Sequence, residues 1–493
     1  MPTFLYPLVC LAIWLSASPL FAQDHEGFAF RQTLARWNAQ ISALEGGDAN
    51  QRFQEASYLY FELKDREAKL RDLQFRGMGH NSGILDYVAQ DALPRLNRLF
   101  ERWNRTPDRA HYDRELDKQR YYISETEARI RNLWTEMQRG NPGILRVMQL
   151  MAFSRSETIG DGTIGDWNPN SPGNIQSTAI KGLIKVLNQI QNKGDRGISV
   201  SQLQEFQGTL IGAAEHHFSR GGLINGIVFR QGDGNTKHVR EYLAEFEREI
   251  NAMPPGLIAS FEGYTRFIHL HPFGDVNGRI AEVIKQDILG RAGLPPTITR
   301  EKISSENYLY QNIFGRGNYF GEVNDMARET EAFLNVWKQI LGTDGKIIDV
   351  WLSGPHVVTT MIKNGRRMTV INNRTYSLAE GVELPPIKNS PVLIGRDAQD
   401  LSLRFTTDNW VNQNEVKPTH TVKTGRFGEV QLSYPFFVLD TPEISEQGTK
   451  MEFAFNYQTP KGETVWFKNR DQNFSAIVGQ ANATLCGVLK GAM

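Results

Sequence analysis

The residues best equipped for chemistry lie in the stretch HLHPFGDVNGRIAEVI, which begins at His269. His271 carries the one common side chain whose ordinary pKa lets it take up a proton near neutrality, as a general base must. Asp275 supplies a hard oxygen suited to Mg2+, which takes one or two carboxylates together with phosphate oxygens. Asn277 can orient a phosphate by hydrogen bonding, and Gly278 lets a ligand come close to the backbone. Arg279 offers a planar fork and a permanent charge that match phosphate. Phe273 is out of phase with these and is expected to anchor the loop in the core. Residue types alone leave two readings open, an anion site or a polar turn between helices.

Two helices are needed to hold such a loop. Pro254 and Pro255 precede an apolar-periodic segment with Leu257, Phe261, Tyr264 and Ile268. A second helix is expected to begin near Gly278, with Ile280, Val283, Ile284 and Ile288 on its buried stripe. The loop His271–Asn277 then runs straight into a helix N-terminus, where free N–H groups and the dipole favour an anion. Upstream, in GLINGIVFRQGDGNTKH, an apolar run from Ile224 to Phe229 meets the turn signal Gly232-Asp233-Gly234-Asn235. That predicts a β-hairpin over 224–236, which needs a helical body to lie on.

The stretch resembles the signature of Fic-domain (Fido) proteins, H-P-F-x-[DE]-G-N-G-R-x-x-R. His271, Pro272, Phe273, Asp275, Asn277, Gly278 and Arg279 all match it. The similarity runs over residues 175–340 and takes in the hairpin ending in Phe229-Arg230 and a helical tail beyond GRAGLPP. It implies a mainly α protein: a helical Fic fold with a β-hairpin flap, preceded by a helical N-terminal region and followed by a β-rich C-terminal domain. It further implies transfer of a nucleotide monophosphate, AMP from Mg2+-ATP by default, to a Ser, Thr or Tyr hydroxyl of a target protein. By the same resemblance His271 deprotonates the hydroxyl and Asp275 holds Mg2+. Asn277 and the amides of Val276 and Gly278 hold the phosphates, while Arg279 steadies the β-phosphate. The flap residues Ile227, Val228, Phe229 and Arg230 would dock the target by strand addition. Catalysis of this kind is mainly positioning and electrostatic stabilisation.

Two positions depart from the signature. Val276 replaces the first glycine of the turn, and a β-branched residue held at positive φ costs about 1–3 kcal/mol. Glu282 replaces the last arginine, which in typical members meets the γ-phosphate. Arg279 and Glu282 stand i,i+3 on one helix face and could pair. A carboxylate facing the nucleotide would repel a triphosphate, which fits a donor lacking a γ-phosphate, as in phosphocholine transfer from a CDP-alcohol. UMP transfer is another such alternative, and a silent site acting as a binding protein a third. In the remaining alternative, Glu282 forms an exposed salt bridge and points away. Family members are often silenced by a helix bearing [ST]-x-x-x-E-[GN]. The nearest match here is ISALEG, ending at Glu45-Gly46, with Ile41 at the Ser/Thr position.

The rest of the chain bounds the context. Its 493 residues exceed one hydrophobic core, so two or three domains are expected. Lys+Arg and Asp+Glu both total 55, which argues against broad nucleic-acid or anionic-membrane binding. An uncharged apolar run from Phe4 to Leu15 is too short to span a bilayer and reads as a signal peptide cut after Ala22. The expected location is periplasmic or secreted, with no membrane contact in the mature form. Of Cys10 and Cys486 only the second survives such a cut, so no internal disulfide is expected.

Four divisions follow: signal peptide 1–22, helical region 23–140, Fic domain 141–342 and β-rich domain 343–493. The helical region rests on two apolar stripes, Leu34, Trp37, Ile41 and Leu44, then Ile123, Ile130, Leu133 and Met137. Residues 157–174 are glycine-rich and read as a loop; GDGTIG within them lacks the context of a phosphate loop. His216-His217 has no partner at metal-ligand spacing. Beyond Gly342, HVVTTMI, RMTVI, PVLIG, LSLRF, EVQLSYPFFVL, MEFAFNYQ and ETVWFK predict strands of a sandwich or barrel.

Overall fold

The computed structural model describes residues 34–75, 82–153, 175–194, 196–211, 223–224, 227–228, 236–270, 272–273, 277–297, 316–353, 356–372, 375–378, 393–394, 401–427, 430–441, 448–458, 464–467 and 473–477. Residues 1–22, the glycine-rich break 157–174 and His216-His217 lie outside them. Contacts divide the chain into two compact units, Met1–Tyr121 with Glu301–Glu322, and Tyr122–Arg300 with Val323–Met493. By contacts the β-rich residues group with α-helical residues of 122–300.

In the first unit, α1 (34–45), α2 (Ala49–Phe75), α3 (Ser82–Tyr87), a π-helical turn (Val88–Ala92) and α4 (Leu93–Trp103) lead into α5 (Arg109–Gly140). The stripe predicted for α1 is found: Trp37, Ile41 and Leu44 are buried and Leu34 packs beside them. They share one core with Leu63, Leu96 and Phe100. Asn104 ends α4 at φ 51°, a left-handed stop that asparagine tolerates. The fully buried Arg66 lies 4.4 Å above the Trp37 ring. Glu62 accepts the Gly317 N–H at 2.8 Å and the Tyr112 hydroxyl at 3.1 Å.

The second unit contains the rest of α5, then α6 (Ile144–Phe153), α7 (Ile175–Asn192), α8 (Val200–Ile211), α9 (Thr236–Ala252), α10 (Leu257–Leu270) and α11 (Asn277–Arg291). It continues with α12 (Arg316–Leu341) from Val323 onward. On α5 the predicted stripe is buried at Ile123, Ile130 and Met137, with Leu133 half-buried and Trp134 completing it. Gly342 closes α12 at φ 60°, its N–H bonded to the Lys338 carbonyl at 2.9 Å.

Two short strands, β1 (Leu223–Ile224) and β2 (Ile227–Val228), pair antiparallel with Leu223 opposite Val228 and Ile224 opposite Ile227. A hairpin therefore exists, but its register corrects the expected one. Ile224 and Ile227 face each other in the ladder, so the described part of the run 224–229 belongs to two strands rather than one. Asn-Gly is the commonest two-residue hairpin signal, since both positions accept positive φ.

Beyond Gly342 twelve strands are described: β3 (Lys346–Ser353), β4 (His356–Lys363), β5 (Arg366–Asn372), β6 (Thr375–Leu378), β7 (Leu393–Ile394), β8 (Leu401–Thr406), β9 (Asn414–Val416), β10 (His420–Phe427), β11 (Val430–Leu439), β12 (Lys450–Gln458), β13 (Thr464–Phe467) and β14 (Phe474–Ile477). One sheet has the order β3-β4-β5-β11-β6-β7 with β10 also on β11. The other has the order β13-β12-β8-β9 with β14 also on β12. Val358, Ile371 and Phe437 of the first sheet share a core with Leu403, Phe453 and Phe455 of the second. Two sheets closed over one core make a sandwich rather than a barrel. By strand alternation Phe436 points to the opposite face from Phe437, where it meets Phe333 of α12 at a ring distance of 4.9 Å.

Candidate functional site

The loop carrying the motif is held by α10 and α11. Pro254 and Pro255 precede α10, and Glu127 of α5 accepts the N–H of Leu257, an orphan donor of the first turn, at 2.9 Å. Gly263 lets the two helices approach: a Cβ there would stand 2.8 Å from Ile288 Cδ1 and 3.1 Å from Ile284 Cγ2. Phe267 and Phe273 pack with ring centroids 6.1 Å apart, and Phe273 is fully buried, as its phase predicted.

Asn277 opens α11 and is itself buried. Its Nδ2 donates to the Phe273 carbonyl at 2.8 Å, and its Oδ1 accepts the Phe273 N–H at 3.0 Å. The carboxamide thus bonds both the N–H and the carbonyl of Phe273. Gly278 follows on the first turn, and a Cβ built there meets nothing within 4 Å among the described residues. That leaves room beside the N-terminal amides for an incoming group. Half-buried Arg279 directs Nη1 to the Leu210 carbonyl at 3.4 Å, at the C-terminal end of α8, where a cation is favoured. His271, Asp275 and Val276 lie outside the described residues, as do Phe229 and Arg230 of the flap; of Ile227 and Val228 only the strand placement is described.

Glu282 departs from the exposed salt bridge that was one of its expected placements. It is buried, and its ion pair is with Lys285 at 2.7 Å, whose side chain is 0% exposed. Lys285 also reaches the Thr297 carbonyl at 3.5 Å and stands 5.3 Å from the Tyr264 ring centroid. The carboxylate is neither an exposed salt bridge nor a charge in open solvent. The cause is the position of α11, which packs against α6, α7, α8 and α10. All residues from Ile280 to Leu289 are buried, where a single apolar stripe was expected. A helix enclosed on all sides must pair its charges internally. One turn on, Asp287 pairs with Lys193 at 2.7 Å and Arg291 at 3.2 Å. Burial nonetheless raises the Asp287 pKa and lowers that of Lys193. Sequence reasoning passed over Lys285, although a lysine three residues beyond a glutamate on a helix was the available signal.

Glu45, the residue considered for an inhibitory helix, is engaged within the first unit. Arg95 donates to its two carboxylate oxygens at 2.9 and 2.6 Å, and this hydrogen-bonded fork lowers the Glu45 pKa. Among the described residues no group of three or more His, Cys, Asp or Glu could hold a metal ion. Nor is any described helix long and apolar enough to cross a membrane.

No family model matches the chain. It is 26% identical over 165 residues to a protein named protein adenylyltransferase Fic from Nematostella vectensis, covering 31% of this chain and 37% of that protein. A protein of the same name from Culex quinquefasciatus is 31% identical over 100 residues, 19% of this chain and 20% of its own. The chain therefore spans well under half the length of these relatives. Among solved structures, a Fic-1 fragment from C. elegans is 16% identical, with a TM-score of 0.40, covering 63% of this chain and 99% of that one. A Fic domain containing signaling protein from Bacteroides thetaiotaomicron is 13% identical, with a TM-score of 0.31, covering 43% and 97%. On its sequence similarity to the curated Fic proteins, the chain carries a Fic (Fido) domain.

Proposed function

We propose that the protein is an exported transferase that moves a nucleotide-derived phosphate group, AMP by default, onto a Ser, Thr or Tyr hydroxyl of a target protein. The observation that carries the reading is the first turn of α11, where Asn277 clamps the loop, Gly278 leaves its flank open and Arg279 stands beside it. A negatively charged transferring group is stabilised by such fixed donors, which cost no reorganisation during reaction. His271, six residues before Asn277 in sequence, is the group that would take the proton of the target hydroxyl. The donor set fits one hard cation poorly served by protein alone: Asp275 would hold Mg2+ together with phosphate oxygens of the donor, since Glu282 is committed to Lys285. The hairpin β1–β2 would present an edge to the target segment.

A second reading keeps the fold and changes the donor. Glu282, withdrawn into the pair with Lys285, leaves no cation at the position where the resembling signature has its last arginine. A donor without a γ-phosphate, as in phosphocholine transfer from a CDP-alcohol, suits that arrangement, and UMP transfer is the other change of donor. The test incubates the protein and a lysate with labelled ATP, UTP or CDP-choline and Mg2+. Label should appear on a protein with one donor and vanish with His271→Ala. Label that persists in His271→Ala removes the assigned base. No transfer from any donor removes the enzyme reading in favour of a binding protein.

A further inference from the structure

We infer that Arg146 and Gln149 of α6, with Asn188 of α7, form a small interior site for a phosphate-class oxyanion bearing a hydroxyl. The site lies outside the α11 turn and does not depend on the transferase reading.

The buried charges around α11 are matched. Lys285 has Glu282 at 2.7 Å, and Lys193 and Arg291 have Asp287 at 2.7 and 3.2 Å. Arg146 breaks the pattern. It is 6% exposed, yet no carboxylate among the described residues pairs with it. Among the described residues its one hydrogen bond joins Nη2 to the neutral Asn188 Oδ1 at a long 3.3 Å, and the buried Nη1 has no partner. Burial without an opposing carboxylate pulls the guanidinium pKa down to about 10, so it stays cationic at neutral pH. An unmatched interior cation is among the least favourable arrangements in a folded protein unless an anion meets it.

Gln149 stands one helical turn along on the same face of α6 and is buried, and its Oε1 also has no hydrogen-bond partner. Together the residues offer the terminal N–H groups of a guanidinium, which match two oxygens of one anion, and a carbonyl acceptor beside them. A ligand satisfying both is an oxyanion carrying one O–H. Hydrogen phosphate or a phosphate monoester meets that description. Sulfate and carboxylates at neutral pH have no proton to give Gln149.

The full chain, purified in phosphate-free buffer, is dialysed against labelled inorganic phosphate at constant ionic strength, and its Tm is followed with phosphate, sulfate or chloride. Wild type should bind one phosphate per chain and gain about 4 °C at roughly a hundredfold excess over its Kd, more than with sulfate. Arg146→Met should bind less than about a tenth as much, as loss of a bidentate charge pair predicts. Gln149→Leu keeps the charge and should retain anion binding while losing the preference for phosphate over sulfate. Equal phosphate binding by wild type and Arg146→Met overturns the site, as does no binding by wild type. An unchanged preference in Gln149→Leu removes the hydroxyl requirement and with it the assigned ligand class.

Discussion

α11 and the C-terminal sandwich are both buried, but they solve burial differently. The sandwich excludes charge: Phe405, Phe437, Phe453, Phe455 and Phe474 fill its centre, with Phe453 and Phe474 stacked at 5.5 Å. α11 buries Glu282, Lys285 and Asp287 along one helix and neutralises them pairwise. The difference is one of what can be replaced. An aromatic core is indifferent to chemistry and sensitive to volume, whereas a buried ion pair tolerates joint removal and punishes the loss of one partner. The helix that begins at Asn277 is thus fixed in place by charges paired in the interior.

The sharpest contrast comes from truncation in each region. Phe455→Ala should cost about 4 kcal/mol through the cavity it leaves, measured by denaturant unfolding, with no rescue from any charge change. Lys285→Met should cost about 3 kcal/mol by stranding Glu282, and Glu282→Leu in the same chain should restore most of it. If the double variant is as unstable as the single one, the pair is not what makes α11 differ from the sandwich.

Asp349 tests the exception on the sandwich side. This buried carboxyl in β3 has the Val350 backbone N–H as its hydrogen-bond donor and no cation in ion-pair range among the described residues, and desolvation pushes its pKa up to about 6. A carboxyl whose pKa is raised by folding favours the fold while protonated in both states. Stability should therefore be highest below about pH 4 and fall as pH rises through about 6, a loss of about 3 kcal/mol by pH 8. Asp349→Asn should be more stable than wild type at pH 8 by about that amount and flat over the same range. A wild-type profile already flat between pH 4 and 8 would show the carboxyl to be compensated.

The smallest change in stability should accompany the largest change in function. A methyl at Gly278 meets nothing within 4 Å among the described residues, so Gly278→Ala should leave the unfolding midpoint unchanged or raise stability by up to about 1 kcal/mol through helix propensity. If phosphate approaches there, transfer should fall at least about tenfold, the scale of losing one positioned donor contact. Full activity in Gly278→Ala would move the ligand elsewhere on α11.

Much of this was legible in the chain. The stripes of α1 and α5, the burial of Phe273, the helix pair around the loop and most strands beyond Gly342 follow from periodicity, which is local. Strands β6, β9, β10 and β14 escaped because their segments are short or, like HTVKTGRF, charged, whereas KIIDVWLS of β3 carries an apolar signal that sequence reasoning passed over. They form through cross-strand bonds to neighbouring strands. The hairpin was expected in the right place with the wrong turn because the apolar run continued through Asn225-Gly226.

The sequence by itself determined that a histidine, a carboxylate, an asparagine, a glycine and an arginine follow one another closely from His271 to Arg279, since spacing along a chain is a covalent fact. Tertiary structure decided where the charges on that helix go. Glu282 turns to Lys285, and Arg146 lies inside without a carboxylate, because burial and pairing depend on which helices enclose α11 and α6. Dielectric surroundings and partner distances, unlike periodicity, are set by residues far apart in sequence.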